Sequence, residues 1–139
     1  KTDRGKDLYA WWGDRVTDEL NRSLAEAPGN DASGNGEPLV VNLASNEYFK
    51  VVRPKDFAQP IVECVFEDWK THPDEGKVIS FMAKVARGSM ARFMIVNRVD
   101  RVEGLKDFAV DRYAFTAEAS TPERFVFRRK FVPMAETRA

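Results

Sequence analysis

Cysteine and histidine each occur once in the 139 residues, as Cys64 and His72, and their scarcity excludes several chemistries. A lone cysteine closes no disulfide within the chain, and a reducing cytoplasm is the compartment that suits it. A lone histidine, in a turn beside Pro73, leaves no His-based metal cluster and no Ser-His-Asp triad within this sequence. There is no paired-cysteine metal pattern and no Gly-rich phosphate loop, so neither a metal nor a cofactor is expected. No apolar run approaches the roughly 20 residues that span a bilayer, and no basic-then-apolar leader opens the chain, so no membrane partner is expected. Lys1 stands where an initiator methionine would, with helical periodicity beginning almost at once; the reading is a fragment or a processed chain.

What is present suits one globular domain over residues 1–139. Hydrophobic side chains make up 43% and charged ones 32%, enough to build a core without the excess of charge that marks disorder. The formal net charge of +0 hides a division. Residues 1–76 carry 9 Lys/Arg against 15 Asp/Glu, and residues 77–139 carry 13 against 7. Such asymmetry marks either an anionic partner for the basic half or two halves that compensate each other within one fold.

Residues 7–27 form the clearest helical pattern. Leu8, Trp12, Val16, Leu20 and Leu24 recur every four positions, which gathers them on one face; Trp11 widens the stripe and Pro28-Gly29 ends it. Gly13 inside it costs about 1 kcal/mol relative to Ala, which suggests close packing against another element. Residues 28–38 are polar and glycine-rich and read as a mobile loop. A short buried strand at 39–43 runs into Ala44-Ser45-Asn46-Glu47-Tyr48-Phe49-Lys50. Asn42, Ser45, Asn46 and Glu47 are polar-cleft candidates there, because sites often sit at the end of an apolar strand. The alternative is plain capping, with Ser45 or Asn46 starting a helical turn that sets Glu47 and Lys50 three apart. Residues 61–69 alternate as a strand, with Val62, Cys64 and Phe66 on one face and Glu63 and Glu67 on the other; Cys64 reads as a small hydrophobe. A turn at 71–76 returns the chain antiparallel into a strand at 77–85.

Residues 77–99 (KVISFMAKVARGSMARFMIVNRV) are the centre of interest, since Lys84, Arg87, Arg92 and Arg98 interrupt an otherwise apolar run. Ile79, Phe81, Ala83 and Val85 alternate as one side of a strand. Gly88 then permits a sharp turn, and Ser89 can cap a helix beginning there. That geometry sets Lys84 and Arg87 just before a helix N-terminus, where free backbone N–H groups welcome an anion. Lys84, Arg87, Gly88, Arg92 and Arg98, with Lys50, are the expected phosphate-binding residues; solvated charge, or pairing with acids of residues 1–76, is the competing account. Two more strands are read at 113–119 and 124–132. In the second, Phe125, Phe127 and Phe131 alternate against a basic stripe of Arg124, Arg128 and Lys130, suited to following a nucleic-acid backbone or to protecting a sheet edge. Residues 133–139 read as an unstructured tail. Together these elements describe an α+β fold: a mostly antiparallel sheet, an N-terminal amphipathic helix and a central strand-turn-helix.

Four stretches carry a family resemblance: RGKDLYAWWGD at 4–14, VVNLASNEYFK at 40–50, VISFMAKVARGSMARFMIVNR at 78–98 and VFRR at 126–129. In their order and across most of the chain they resemble the YaaA family of bacterial peroxide stress proteins. The family's proteins are longer, and this chain resembles their C-terminal portion, so an N-terminal half of the same polypeptide is an implied partner. The resemblance implies a cytoplasmic protein of the hydrogen peroxide response that limits iron-linked oxidative damage. It also implies an unusual fold with a positively charged cleft, a helix-hairpin-helix-like element and binding to DNA. Residues 92–108 are the candidate for that element, without the usual Leu-Pro-Gly-like hairpin.

Binding of this kind would be to phosphates more than to bases. A reading from a different class is an enzyme acting on a nucleotide or nucleobase, with Glu47 as acid/base group and Lys84 and Arg87 as a phosphate clamp in one cleft. A third is that residues 1–139 are inactive without the rest of the polypeptide, which exposed apolar surface over Leu8, Trp12 and Val16 would accompany.

Overall fold

A computed structural model describes residues 7–26, 40–57 and 59–132 and divides the chain into two compact units, Lys1–Val62 and Glu63–Ala139. The expected loop at 28–38 and the tail at 133–139 lie outside the described residues.

In the first unit the helical pattern becomes two helices, α1 (Leu8–Trp12) and α2 (Arg15–Ala25). Asp7 starts α1, its Oδ1 accepting the Ala10 N–H at 2.8 Å. Gly13 ends α1 with a φ of 56°, in the left-handed region that favours glycine. The expectation of Gly13 inside one long helix is therefore corrected. A Cβ there would meet only the Ala10 carbonyl oxygen, at 3.9 Å, so the backbone angle and not a close neighbour requires glycine. After the break, polar side chains of α2 fasten the chain that returns at 53–56. Thr17, almost wholly buried, accepts the Arg53 N–H at 3.0 Å. Asp14 pairs with the Arg53 guanidinium at 2.6 Å, and Asn21 donates to the Asp56 carbonyl at 2.7 Å. The spacing of 14, 17 and 21 puts all three on one helix face. β1 (Val40–Asn42) and α3 (Asn46–Phe49) complete the unit.

The second unit is built on β2 (Ile61–Trp69), whose first two residues close the first unit, then α4 (Ser80–Val96), β3 (Ala114–Phe115) and β4 (Arg124–Lys130). β4 lies between the other two strands, parallel to β2 and antiparallel to β3. The α+β class holds, with a mixed sheet in place of a mostly antiparallel one. The cause is the segment after β2. The expected hairpin shrinks to one antiparallel bridge, Asp68 with Lys77, and the chain then enters α4. A helical crossover is what joins parallel strands, and β4 accordingly returns parallel to β2. Residues 80–85 are helix, not strand: Met82, Ala83, Lys84, Ala86 and Arg87 are strong helix formers, and Ala83, Ala86 and Met90 form a buried helical stripe. Gly88 and Ser89 lie inside α4, so the turn and the cap expected of them do not occur.

The register of β2 against β4 sets Glu63 opposite Arg124, Glu67 opposite Arg128 and Asp68 opposite Arg129. Each is an ion pair, at 3.8, 2.8 and 2.8 Å respectively. Between the charged rungs, Cys64, Val65 and Phe66 face Phe125, Val126 and Phe127, all buried, as parallel strands covered on both faces require. Phe66 stacks on Phe127 at 5.3 Å and meets Phe108 and Tyr113 edge-on at 5.6 and 5.5 Å. Gly76 crosses the ladder so closely that a Cβ would come within 2.6 Å of Arg128 Nε and 2.8 Å of Glu67 Oε1. The basic stripe expected on β4 is thus not a free surface. Arg124 and Arg128 are paired, Arg128 also donates to the Pro73 carbonyl at 3.2 Å, and Lys130 lies over the Trp69 ring at 5.6 Å. Nor is β4 an edge strand, which removes edge protection as an explanation.

Burial grades these pairs. Asp68 is 4% exposed, and removing one partner of a buried pair strands the other charge, so Arg129→Ala should lower the unfolding free energy by roughly 3–5 kcal/mol. Arg124→Ala, at an exposed pair, should cost less than ~1 kcal/mol. Urea unfolding curves of the two variants measure the difference; equal losses would contradict this ranking.

Candidate nucleic-acid interface

The polar candidates of the first unit follow β1. Asn42 is buried and its Oδ1 accepts the Ala44 N–H at 2.9 Å. Ser45 is the N-cap of α3, its Oγ accepting the Tyr48 N–H at 3.4 Å. Both side chains turn the backbone from β1 into α3, and for Ser45 this is the capping role that its spacing allowed. Asn46, Glu47 and Lys50 are exposed, and among the described residues Glu47 and Lys50 form no ion pair. Desolvation raises the pKa of the Tyr9 phenol, and the Glu47 carboxylate adds to the rise, which places Tyr9 near this exposed group.

The basic candidates belong to the second unit. Lys84, Arg87 and Arg92 project from α4, and Arg98 follows its last turn. Lys84 and Arg87 sit within the helix, so an anion site built on a helix start at Gly88 is corrected to a cationic flank of a continuous helix. At about 100° per residue, Lys84 and Arg87 are about 60° apart on one flank, while Arg92 points away from the buried stripe. Arg98 has a φ of 48° and closes the helix. Its N–H reaches the Ile95 carbonyl at 3.3 Å, and the Val99 N–H reaches the Met94 carbonyl at 2.9 Å, a left-handed helix end more often given to Gly or Asn.

Residues 92–108 are accordingly the end of α4, a turn and a 3-10 helix at Val102–Asp107. A cleft of ≈ 380 Å³ opens there, where Arg98 and Arg101 share the lining with Asp100, Glu103 and Asp107. Arg101 was not among the sequence candidates. Its signal was its place three residues after Arg98, inside residues 92–108, the candidate for the helix-hairpin-helix-like element.

Among the described residues no carboxylate pairs with Lys84, Arg87, Arg92 or Arg98, whereas Arg124, Arg128 and Arg129 each have one. Within the described residues no three His, Cys, Asp or Glu side chains converge as metal ligands. No helix there is long and apolar enough to cross a membrane.

Cys64 stands apart from any such site. Burial pushes its thiol up to about 12, and Glu63 adds to the shift. A thiol held protonated is a poor nucleophile, so native protein at pH 8 should react with iodoacetamide far more slowly than urea-unfolded protein. Hydrogen peroxide should likewise leave Cys64 unoxidised. Because folding raises this pKa, the thiol's contribution to stability is complete below its ordinary value of 9.0 and is lost as pH rises toward 12. Intact-mass spectrometry reads the labelling, and rapid native labelling would contradict the burial.

The described residues thus form an α+β protein segment with a mixed sheet and one unpaired cationic helix. A family model described as "Peroxide stress protein YaaA" matches residues 1–119, and the chain belongs to that family. It is similar to UPF0246 proteins of Paraburkholderia phytofirmans, 52% identical over 129 residues (93% of this chain, 46% of the relative), and of Burkholderia lata, 50% identical over 129 residues (93% and 46%). Similarity to a UPF0246 protein of Ralstonia nicotianae is 54% identity over 126 residues (91% and 45%). The chain spans about half the length of the curated relatives it matches. The resemblance carried by the four sequence stretches is borne out.

Proposed function

We propose that this chain contributes the DNA-holding surface of a cytoplasmic bacterial peroxide stress protein, binding mainly the phosphate backbone and so limiting iron-linked oxidative damage. The observation that carries this reading is the set Lys84, Arg87, Arg92 and Arg98, cations without a carboxylate partner among the described residues. Residues 63–139 hold 14 Lys/Arg and 12 Asp/Glu, so attraction for an anion depends on where charge is left uncompensated and not on the total. The β2–β4 ladder uses three arginines; α4 keeps its own. From position 84 to 98 the helix runs about 20 Å, long enough to follow several successive phosphates. In the first unit, taken by itself, Lys50 is a further candidate for a phosphate, with the exposed Asn46 and Glu47 beside it for polar contacts to sugar or base edges. Cations seated on phosphates displace other counterions from the duplex, ferrous iron among them, which is the proposed route from binding to reduced damage.

Affinity for duplex DNA should fall steeply with salt, in this chain and in a family-length polypeptide carrying it. Lys84→Ala with Arg87→Ala should reduce the slope of log affinity against log salt by about 2. Arg98→Gly is the cleaner single variant. It removes one charge while relieving the left-handed φ, so it should lower the slope by about 1 without lowering the thermal midpoint. Salt-independent affinity, or unchanged slopes in folded variants, would overturn the reading.

A further inference from the structure

α4 carries apolar side chains on two opposite sides, with Lys84 and Arg87 on a flank between them. Its buried stripe of Ala83, Ala86 and Met90 accounts for its packing within its own unit. Away from that stripe, Phe81, Val85, Ile95 and Val96 are 67%, 49%, 77% and 66% exposed. At about 100° per residue these four fall within an arc of about 100°, roughly opposite the buried stripe. Single exposed hydrophobes are ordinary, but four large ones along one side of one helix, on either side of Gly88 and Arg92, mark a contact surface. Gly88 lies in the same arc, and a Cβ on it would meet nothing within 4 Å. Glycine in a helix interior is unfavourable without compensation. Nothing described in this chain supplies any, whereas an element packed directly on the bare backbone would. The family supplies the occupant. This chain spans 46% of the Paraburkholderia phytofirmans relative and 45% of the Ralstonia nicotianae one, so a polypeptide of family length has as much chain again.

We propose that the Phe81, Val85, Ile95 and Val96 face of α4 is an intramolecular docking surface, covered in the family-length polypeptide by the part that this chain does not span. α4 is then a central helix with packing on two sides. Arg92 lies in the covered arc, its aliphatic stem under the cover and its guanidinium at the rim, while Lys84 and Arg87 stay on the open flank. The inference stands whether or not the open flank binds DNA.

The test uses a family-length polypeptide carrying this chain, with the photo-crosslinking residue p-benzoylphenylalanine placed at Phe81. Irradiation followed by peptide mapping should join position 81 to a segment outside residues 1–139 of the same molecule. A link to residues 1–62, a link between two copies, or no link at all would each overturn the proposal. As a check with a smaller substitution, Val85→Cys in the folded polypeptide should be alkylated at least ~10-fold more slowly than the exposed Glu118→Cys, because covered sites react only on opening. Equal rates would overturn it as well.

Discussion

Asp68 and Arg129 face each other on β2 and β4 with their charged groups 2.8 Å apart and the carboxylate almost wholly buried, and much of the second unit is arranged to make that burial tolerable. A buried pair gains Coulomb energy but loses hydration, and it survives only if the remaining lone pairs and protons also find partners. Here they do. The Tyr113 hydroxyl donates to Asp68 Oδ1 at 3.0 Å, and the Arg129 guanidinium lies 4.2 Å from the Tyr113 ring and donates to the Asp111 carbonyl at 3.1 Å. Burial first, with Asp68 opposing the phenolate, raises the Tyr113 pKa and keeps the phenol a donor. Placing that phenol requires Asp111 and Arg112 at φ 55° and 70°, which costs roughly 1–2 kcal/mol per residue. Arg112 anchors the turn by donating to the Lys130 carbonyl at 3.1 Å.

The ladder's contribution is register more than raw stability. Exposed pairs such as Glu63–Arg124 contribute little, and a buried pair scarcely outperforms apolar residues of equal size. A slip of one residue, however, sets either Phe66 against Arg128 or Glu67 against Phe127, and it turns every side chain to the other face. Three matched charges therefore select one alignment and, with it, the stacking of Phe66 on Phe127 that the aromatic core is built around. The same pairs account for part of the charge asymmetry along the chain: Glu63, Glu67 and Asp68 come from the acidic half and their arginines from the basic half. Compensation within the fold is what β4 displays, while the cations of α4 have no carboxylate partner among the described residues.

How far the fold could be read from the sequence depended on where the determining partner lay. The periodicity marked helix correctly over Leu8–Trp12 and Arg15–Ala25, because that signal is local. It could not show the break at Gly13, since one residue at positive φ leaves the spacing of its neighbours intact. β4 was legible from its alternation, but its parallel partner was not, because chain neighbours usually pair first. A signal was nevertheless present: Glu63, Glu67 and Asp68 have the same spacing as Arg124, Arg128 and Arg129. The error at 78–85 has the opposite origin. A helix apolar on both sides satisfies an alternating template as readily as a helical one. Motif resemblance identified the candidate residues without their geometry: Ser45 was legible as a cap, whereas Lys84 and Arg87 were placed at a helix start that does not exist.

The two faces of α4 limit where an anion can approach it. One face is packed against the second unit, and the opposite face carries large apolar side chains unsuited to phosphate. The flank bearing Lys84 and Arg87, the Arg92 guanidinium at the rim and the C-terminal end bearing Arg98 are where charge and access combine. If the apolar face is covered by the rest of a longer polypeptide, that flank becomes a seam, with the packed unit on one side and the cover on the other. Low-dielectric walls on both sides of a line of cations concentrate its field, so the same charges would hold a phosphate more strongly than they do on an open helix. A positively charged cleft would then be a property of the seam. On that reading a chain whose charges balance overall would contribute cations to a site that neither part of the longer protein completes alone.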